Sequence, residues 1–333
     1  MKELKFGIIG TGMISGMFVE AVREVSDTSV TAVLSRKRET GEEFVSRYFG
    51  GSVLRPAVVT DVKELFLSNV NAIYIAAPNR LHSELSIEAM KAGFDVLCEK
   101  PIASNSAECK EMFSVSEKTG KVLLEAMRPA FDPAYDSVLQ ALNEIGIIRH
   151  VSFEYCQYSS RYDRFKNGEY TRAFDPSYSN AAVMDIGIYP IYVCLMLFGK
   201  PDGMVRAYST IFDNGMEGGG EAILKYDGVT AVLSYSKICD SVNPSVIIGE
   251  KGSISIDKLS SPSVVLLSKK GKTDSEVIYS SAKSNNMRFE VMKFKELVTN
   301  RDVEHKYAAI SRISMEMTDG IRRENGIVFE ADK

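Results

Sequence analysis

Residues 184–190 read MDIGIYP, so a carboxylate, Asp185, and a phenol, Tyr189, stand four positions apart at the head of the apolar run IYVCLMLFG. Side chains four apart on a helix are neighbours, and such a pair can pass a proton to or from one bound group. Each residue also has a plainer reading. Asp is a preferred helix N-cap, and one carboxylate can both cap and touch a substrate; a buried Tyr often only satisfies its hydroxyl. Pro190 bears on the geometry, because proline is comfortable only in the first helical turn. Either the helix starts very close to Asp185 or it kinks at Tyr189, and only the first arrangement secures a shared face. A further candidate is Lys100 in CEKP (98–101), where a lysine ends an apolar strand. An ammonium there contributes positive charge and hydrogen bonds to a substrate oxygen; the plainer alternative is a lysine snorkelling from a strand end.

A different chemistry is written at the start of the chain. GTGMIS (10–15) follows an apolar strand and opens an amphipathic helix, the context that a dinucleotide fingerprint needs. Gly10 allows the tight turn, and Gly12 lets the backbone approach a pyrophosphate at the helix N-terminus. Thr11, Met13 and Ile14 complete the candidate cradle, and Ser15 stands where a third small residue is needed. The end of the second strand reads Ser35-Arg36-Lys37-Arg38, with Glu39 as the first acid. An acid at that point would suit the ribose hydroxyls of NAD. A hydroxyl and a guanidinium suit a 2′-phosphate instead, so Ser35 and Arg36 favour NADP(H) over NAD(H). The plainer alternative is a solvated basic loop.

The elements that must position these residues alternate along the first part of the chain. Strand-like runs at 4–10, 29–35, 71–77, 95–101 and 122–127 are separated by helical patterns at 13–25, 38–49, 60–66 and 81–93, with Asn105 and Glu108 opening another helix. Alternation with continuous apolar strands predicts an α/β, doubly wound parallel sheet covered on both faces. The second part differs: a helix at 133–145, a strand at 147–158, a polar, Tyr-rich loop to about 180, a helix at 186–198, then strands separated by turns. GMEGGG (215–220), Asp227-Gly228, Glu250-Lys251-Gly252 and KKGK (269–272) mark the turns, and Asp-Gly between apolar runs is a strong hairpin signal. Helices at 287–300 and 306–324 close the chain. The expected domains are 1–127 and 128–333, the second α+β with an antiparallel sheet.

Composition excludes several classes. The chain has 333 residues, 45% hydrophobic and 25% charged, with a net charge of −4 and dispersed Lys and Arg. That suits a packed two-domain protein and lacks the basic footprint of a nucleic-acid binder. MKELKFGIIGTG has no signal-peptide core, and the apolar run Ile188–Phe198, holding Pro190, is too short to span a bilayer. Five cysteines without CxxC spacing read as reduced thiols in the cytoplasm. Three histidines far apart offer no metal-ligand spacing.

GTGMIS, AAPNRLH (76–82), CEKP and MDIGIYP together resemble the Gfo/Idh/MocA family of oxidoreductases over essentially the whole chain, GSISID (252–257) and the closing helices included. The resemblance implies a Rossmann domain followed by a domain with a large, mostly antiparallel sheet. By that likeness Ala77, Pro78, Asn79 and His82 line the cofactor, Glu99 and Lys100 place the nicotinamide and the catalytic lysine, and the Lys100–Pro101 bond is often cis. Tyr189 occupies a position that is His in many members and Tyr in others, including those resembling dimeric dihydrodiol dehydrogenase and xylose dehydrogenase. A phenol ordinarily titrates near pH 10, too high for a neutral-pH base unless a cation such as Lys100 favours the phenolate. The family also implies a homo-oligomer, a dimer or dimer of dimers, through the sheet. The sequence departs from the family pattern in SNAAVMD (179–185), where relatives are glycine-rich, and at Arg128, where many carry an aromatic residue and His-Pro. Asn180 and Arg128 are candidate substrate contacts, Asn180 equally a turn residue. The loop SSRYDRFKNGEYTR (159–172) reads as a lid, a subunit contact or an exposed loop.

Moving a hydride from a carbinol carbon to nicotinamide requires a group that takes the hydroxyl proton. The expected function is an NADP(H)-dependent oxidoreductase acting on a hydroxyl or ketone of a sugar, polyol or related diol, with Tyr189 and Lys100 carrying the proton chemistry and Asp185 in support. The alternative is a non-catalytic, NADP-binding redox sensor on the same fold. A third reading, a tightly held cofactor cycling between two sugars, would bring an export signal or a long N-terminal arm, and the sequence shows neither.

Overall fold

The computed structural model describes residues 3–52, 54–282 and 285–333; Met1 and Lys2, which open the N-terminal stretch considered above, lie outside it. The chain divides into two compact units, Met1–Met127 with Asn285–Ala309, and Arg128–Ser284 with Ile310–Lys333.

The first 127 residues run β1 (Leu4–Ile9), α1 (Met13–Arg23), β2 (Thr28–Leu34), α2 (Arg38–Phe49), β3 (Ala57–Val59), α3 (Val62–Leu67), β4 (Ala72–Ile75), α4 (His82–Lys91), β5 (Asp95–Glu99), α5 (Ser106–Thr119) and β6 (Leu123–Ala126). All six strands are parallel, in the order β3-β2-β1-β4-β5-β6. The order reverses between β1 and β4, the switch point at which such sheets bind ligands. β4 and β6 are buried along their whole length, so they read as unbroken apolar runs rather than alternating ones. Phe18 of α1 stacks on Tyr74 with ring centroids 3.6 Å apart and meets Phe6 edge-on at 5.1 Å, pinning the helix to β4 and β1. The caps follow sequence chemistry: Asp61 accepts the Lys63 N–H at 2.8 Å and Asn105 the Glu108 N–H at 2.9 Å. β3 has no counterpart among the strands named from sequence. At three residues behind Pro56 it is too short to carry a periodic signal.

The next unit contains α6 (Ala134–Ala141), β7 (Ile148–Cys156), α7 (Tyr162–Lys166), α8 (Ile188–Phe198), β8 (Gly203–Ile211), β9 (Glu217–Tyr226), β10 (Val229–Ser236), β11 (Ser245–Gly249), β12 (Gly252–Ile256), β13 (Val264–Lys269) and β14 (Glu276–Ser280); α9 (Met287–Asn300) and α10 (Lys306–Glu324) close the chain. Its eight-stranded sheet runs β14-β13-β12-β11-β7-β10-β9-β8 and is antiparallel except for the β7–β10 pair. Asp227-Gly228 makes the two-residue hairpin between β9 and β10, whose register starts at Val229 opposite Tyr226.

Three sequence expectations change. GMEGGG is turn only at its start. Glu217 opens β9, and its glycines are crowded by Phe212, Ser236 and Tyr208, so a turn assignment from glycine count fails there. The helix expected at 186–198 is preceded without a break by a π-helical turn, Val183–Gly187. The stretch Pro176–Phe198, which includes this turn and α8, is long and apolar enough to cross a bilayer by length and composition, yet 78% of its most apolar window is buried inside the protein, as in a core helix. Asn285–Ala309 belongs to the first unit, which a single break after residue 127 does not provide for. Within that unit α9 packs on α1, Phe294 lies 5.9 Å from Phe6, and Asn285 donates to Met17 O at 3.1 Å.

Candidate active site

In the first unit the candidate cofactor residues gather at the carboxyl ends of β1, β2, β4 and β5. Gly10 leaves β1 at φ +108°, a conformation that side chains rarely adopt, and a Cβ there would lie 2.4 Å from Ala76 O. The glycine is required by the backbone itself. Gly12 differs: it is the N-cap of α1, no side chain caps the helix there, and the space where a Cβ would point is open. Uncapped N–H groups at a helix N-terminus with room in front of them fit a phosphate. A cavity of about 840 Å³ opens beside it, lined by Thr11, Gly12 and Met13 and by Thr40, Arg47 and Tyr48 of α2. Ile14 is half-buried, and Ser15 is fully buried, its small side chain letting α1 approach the sheet. Ser35 is buried at the end of β2, with its N–H on Val59 O at 3.1 Å, while Arg36 is exposed. Arg38 is spoken for, donating to Val58 O at 3.1 Å.

AAPNRLH and CEKP, 19 residues apart at their linking contact, meet through His82. Its Nδ1 lies 2.8 Å from Pro101 O and its Nε2 2.9 Å from Ala77 O. His82 is 1% exposed, and burial pushes its imidazole below the ordinary range. The imidazole therefore ties together the two loops that carry Ala77, Pro78, Asn79, Glu99 and Lys100. Lys100 is half-buried, and its bond to Pro101 is cis. Around it, Glu99 accepts the Tyr74 hydroxyl at 2.5 Å and Glu125 accepts the Ile102 N–H at 3.1 Å. Burial and the Glu99 charge hold the Tyr74 phenol well above its usual range, so it stays a donor.

In the second unit, Asp185 and Tyr189 lie one turn apart on a continuous helical segment. Asp185 is not its N-cap. Its N–H donates to Ala181 O at 3.1 Å, inside the helix, and the capping carboxylate is that of Glu217, which accepts the Val183 N–H at 2.6 Å. Pro190 is the third residue of α8, and its missing N–H falls where the π turn hands over to α bonding. The π turn is where the backbone bonding shifts to accommodate the N–H that proline lacks. Tyr189 is 6% exposed, with Tyr155 of β7 edge-on at 5.3 Å. Gly187, between the two candidates, allows close approach to β10: a Cβ there would be 2.9 Å from the Tyr235 ring. Tyr235 in turn donates to Glu217 at 3.0 Å, and Ser209 to the same carboxylate at 2.5 Å. Burial raises Glu217 above the usual carboxylate range, opposed by these donors.

The Asp185 carboxylate is paired with Lys237, whose Nζ lies 2.9 Å from Oδ2; the lysine side chain is 4% exposed and the aspartate side chain 43%. Asn180 donates from its amide within the loop, to Arg172 O at 2.6 Å and Asp175 O at 3.1 Å. Arg128 is half-buried in the 3-10 turn Arg128–Phe131 that opens the unit. The loop after β7 is packed rather than splayed: Phe165 stacks on Phe174 at 4.9 Å and meets Phe212 at 5.2 Å. Among the described residues, no group of three or more His, Cys, Asp or Glu is placed to hold a metal ion. Sequence reasoning passed over Glu217, Tyr235 and Lys237. The available signals were an isolated acid among glycines and a lysine in alternation with an inward Tyr at the end of an apolar strand.

Residues 4–127 match the oxidoreductase family model with an NAD-binding Rossmann fold, and residues 139–255 match the GFO/IDH/MocA C-terminal domain. The chain is 37% identical to scyllo-inositol 2-dehydrogenase (NADP(+)) IolU of Bacillus subtilis (strain 168), covering 99% of each protein. It is 26% identical to trans-1,2-dihydrobenzene-1,2-diol dehydrogenase of Mus musculus, again over 99% of each. The fold is similar to that of KijD10, a 3-ketoreductase from Actinomadura kijaniata, with a TM-score of 0.86 at 22% identity over 98% of this chain and 99% of that one. With both family models matched along the chain and a relative 37% identical over 99% of each protein, the chain belongs to the Gfo/Idh/MocA family of oxidoreductases.

Proposed function

We propose that the protein is an NADP(H)-dependent dehydrogenase or reductase that moves a hydride between nicotinamide and a hydroxyl- or carbonyl-bearing carbon of a sugar, polyol or related diol. The observation that carries this reading is the placement of Asp185 and Tyr189 one turn apart on an unbroken helical segment, with the acid held by Lys237. The inositol dehydrogenase at 37% identity is named for NADP(+) and a polyol, and Ser35 with exposed Arg36 suits the 2′-phosphate.

Hydride chemistry is what the cofactor supplies when bound; the part of the chain is the proton. Tyr189 is the general acid/base, taking the substrate hydroxyl proton in oxidation and returning it to the carbonyl oxygen in reduction. Lys100 stabilises negative charge on that oxygen, and Asp185 orients the substrate. Tyr155, edge-on to Tyr189, fixes the ring so that the hydroxyl has one direction. Copies of the chain would associate through the eight-stranded sheet, where Val205, Tyr208 and Ile211 of β8 are exposed. A monomer by light scattering would remove that part.

The test is a panel of polyols and sugars in the oxidised and reduced states, assayed with NADP(H) and NAD(H) by nicotinamide absorbance. Turnover of a polyol or sugar with NADP(H) supports the reading. Tight NADPH binding without turnover of any panel member would replace it with the sensor function.

A further inference from the structure

Lys237 is 3% exposed, and lysine is almost never buried unless it is paired. Its Nζ has two polar partners of different kinds, Asp185 Oδ2 at 2.9 Å and the carbonyl oxygen of Ala173 at 3.0 Å, and it sits over the Phe174 ring at 5.2 Å. The backbone on which it stands is fixed from both sides, its N–H on Gly218 O and its carbonyl accepting from Ser159 N–H, each at 2.8 Å. Two residues earlier, Tyr235 braces Gly187. The end of β10 thus grips the π turn at two points, Tyr235 at Gly187 and Lys237 at Asp185.

The contact to Ala173 completes a second pattern. Four consecutive carbonyls, those of Arg172, Ala173, Phe174 and Asp175, each accept from a side chain: Asn180 takes the first and last, Asn214 takes Phe174 at 3.0 Å, and Lys237 takes Ala173. Among these donors it is Lys237 that is also paired with Asp185. A buried ion pair is a poor way to add stability, since apolar residues of similar volume do as well. Here the burial is one-sided: the cation is enclosed and the carboxylate remains 43% exposed. That asymmetry serves a group that must present its charge outward in one orientation.

We propose that Lys237 is a positioning residue for substrate binding: it holds the Asp185 carboxylate aimed, and through Ala173 it makes the placement of the 172–175 loop depend on the same ammonium. The proposal rests on the function given above, in which Asp185 orients the substrate. Substrate recognition would then be a property of the Lys237–Asp185 pair, and cofactor binding would be independent of it.

The experiment is a double-mutant cycle of Lys237→Met and Asp185→Asn in the full-length protein, with kcat, KM for the best panel substrate and the NADPH dissociation constant measured for each variant. Lys237→Met should lower kcat/KM on the order of 100-fold, the scale of an ångström misplacement in a site, chiefly through KM, with NADPH affinity unchanged. Lys237→Arg should restore most of the loss. In the Asp185→Asn background Lys237→Met should cost little more, because residues acting as a unit are not additive. Should Lys237→Met fail to fold, Lys237→Gln, which keeps a donor for Ala173 O without the charge, carries the same expectation. Losses that multiply, or an unchanged KM, overturn the role of Lys237 while leaving the function standing. A wild-type protein that turns over no panel member overturns the function first and this role with it.

Discussion

Glu217 accepts the Val183 N–H at 2.6 Å, so the helical segment bearing Asp185 and Tyr189 is capped by an acid from β9. The capping carboxylate is drawn from 34 residues away, and the Asp185 carboxylate pairs instead with Lys237. The same Glu217 orients Tyr235, the ring against which Gly187 lies, so one buried group governs both ends of the π turn.

Replacing Glu217 with Ala strands three donors, Val183 N–H and the Ser209 and Tyr235 hydroxyls. At about 1–3 kcal/mol for each buried unsatisfied group, the variant should lose roughly 3 kcal/mol or more of unfolding free energy in urea. Glu217→Gln should lose less, because burial already disfavours the charged form. An unchanged midpoint for the Ala variant would show that the cap is idle.

Tyr189→Phe keeps the ring against Tyr155 and removes only the hydroxyl. Turnover should fall roughly 10²–10⁴-fold, the usual contribution of a general acid/base, while NADPH binding measured by fluorescence stays as in the wild type. Wild-type turnover in this variant would end the assignment.

Arg36 and Arg38 should separate cleanly. A hydrogen bond to a charged group contributes about 1.5–3 kcal/mol, so Arg36→Ala should weaken NADPH binding roughly 10- to 100-fold with NADH binding unaltered. Arg38→Ala, which loses the bond to Val58 O, should show its effect in stability rather than in cofactor choice. Tighter binding of NADH than NADPH by the wild-type protein would contradict the role of Arg36.

His82 gives a pH prediction. Burial lowers its folded-state pKa, aided by the Lys100 charge and opposed by its two backbone hydrogen bonds. A histidine depressed in the folded state stabilises fully above its unfolded value, about 6.5, and that contribution is lost as pH falls below it. Stability in urea should therefore drop between about pH 7 and pH 5, and His82→Gln should flatten part of that slope. A neutral ring has one N–H for two facing carbonyls, so protonation would gain a hydrogen bond and offset some of the burial cost. An identical slope in the variant would exclude His82 as the source.

The parallel sheet was legible because β1, β4, β5 and β6 are largely buried apolar runs separated by helical patterns, two of which, α3 and α5, open on a capping residue, and each of those signals is local. The same holds for the Asp227-Gly228 hairpin. β3 is too short to register. The partners of Asp185 were not legible for a different reason: Lys237 and Glu217 reach the π turn only through the β9–β10 register, and no spacing within MDIGIYP announces them. Pro190 signalled that something unusual surrounds Tyr189: the helical segment does open close to Asp185, and it opens as the π turn Val183–Gly187, which proline statistics leave out.

The return of Asn285–Ala309 to the first unit sets an order of events on the ribosome. The face of α1 that receives α9, and Leu123 O, which lies 2.8 Å from His305 Nε2, wait for residues translated after every strand of the second sheet. At about 5–20 residues per second, that interval is on the order of ten seconds, during which the nascent nucleotide-binding unit carries an uncovered apolar face and is a natural client for chaperones. A fragment ending at Met127 would remain permanently in that state, so its poor solubility would report an unfinished core rather than a misplaced boundary.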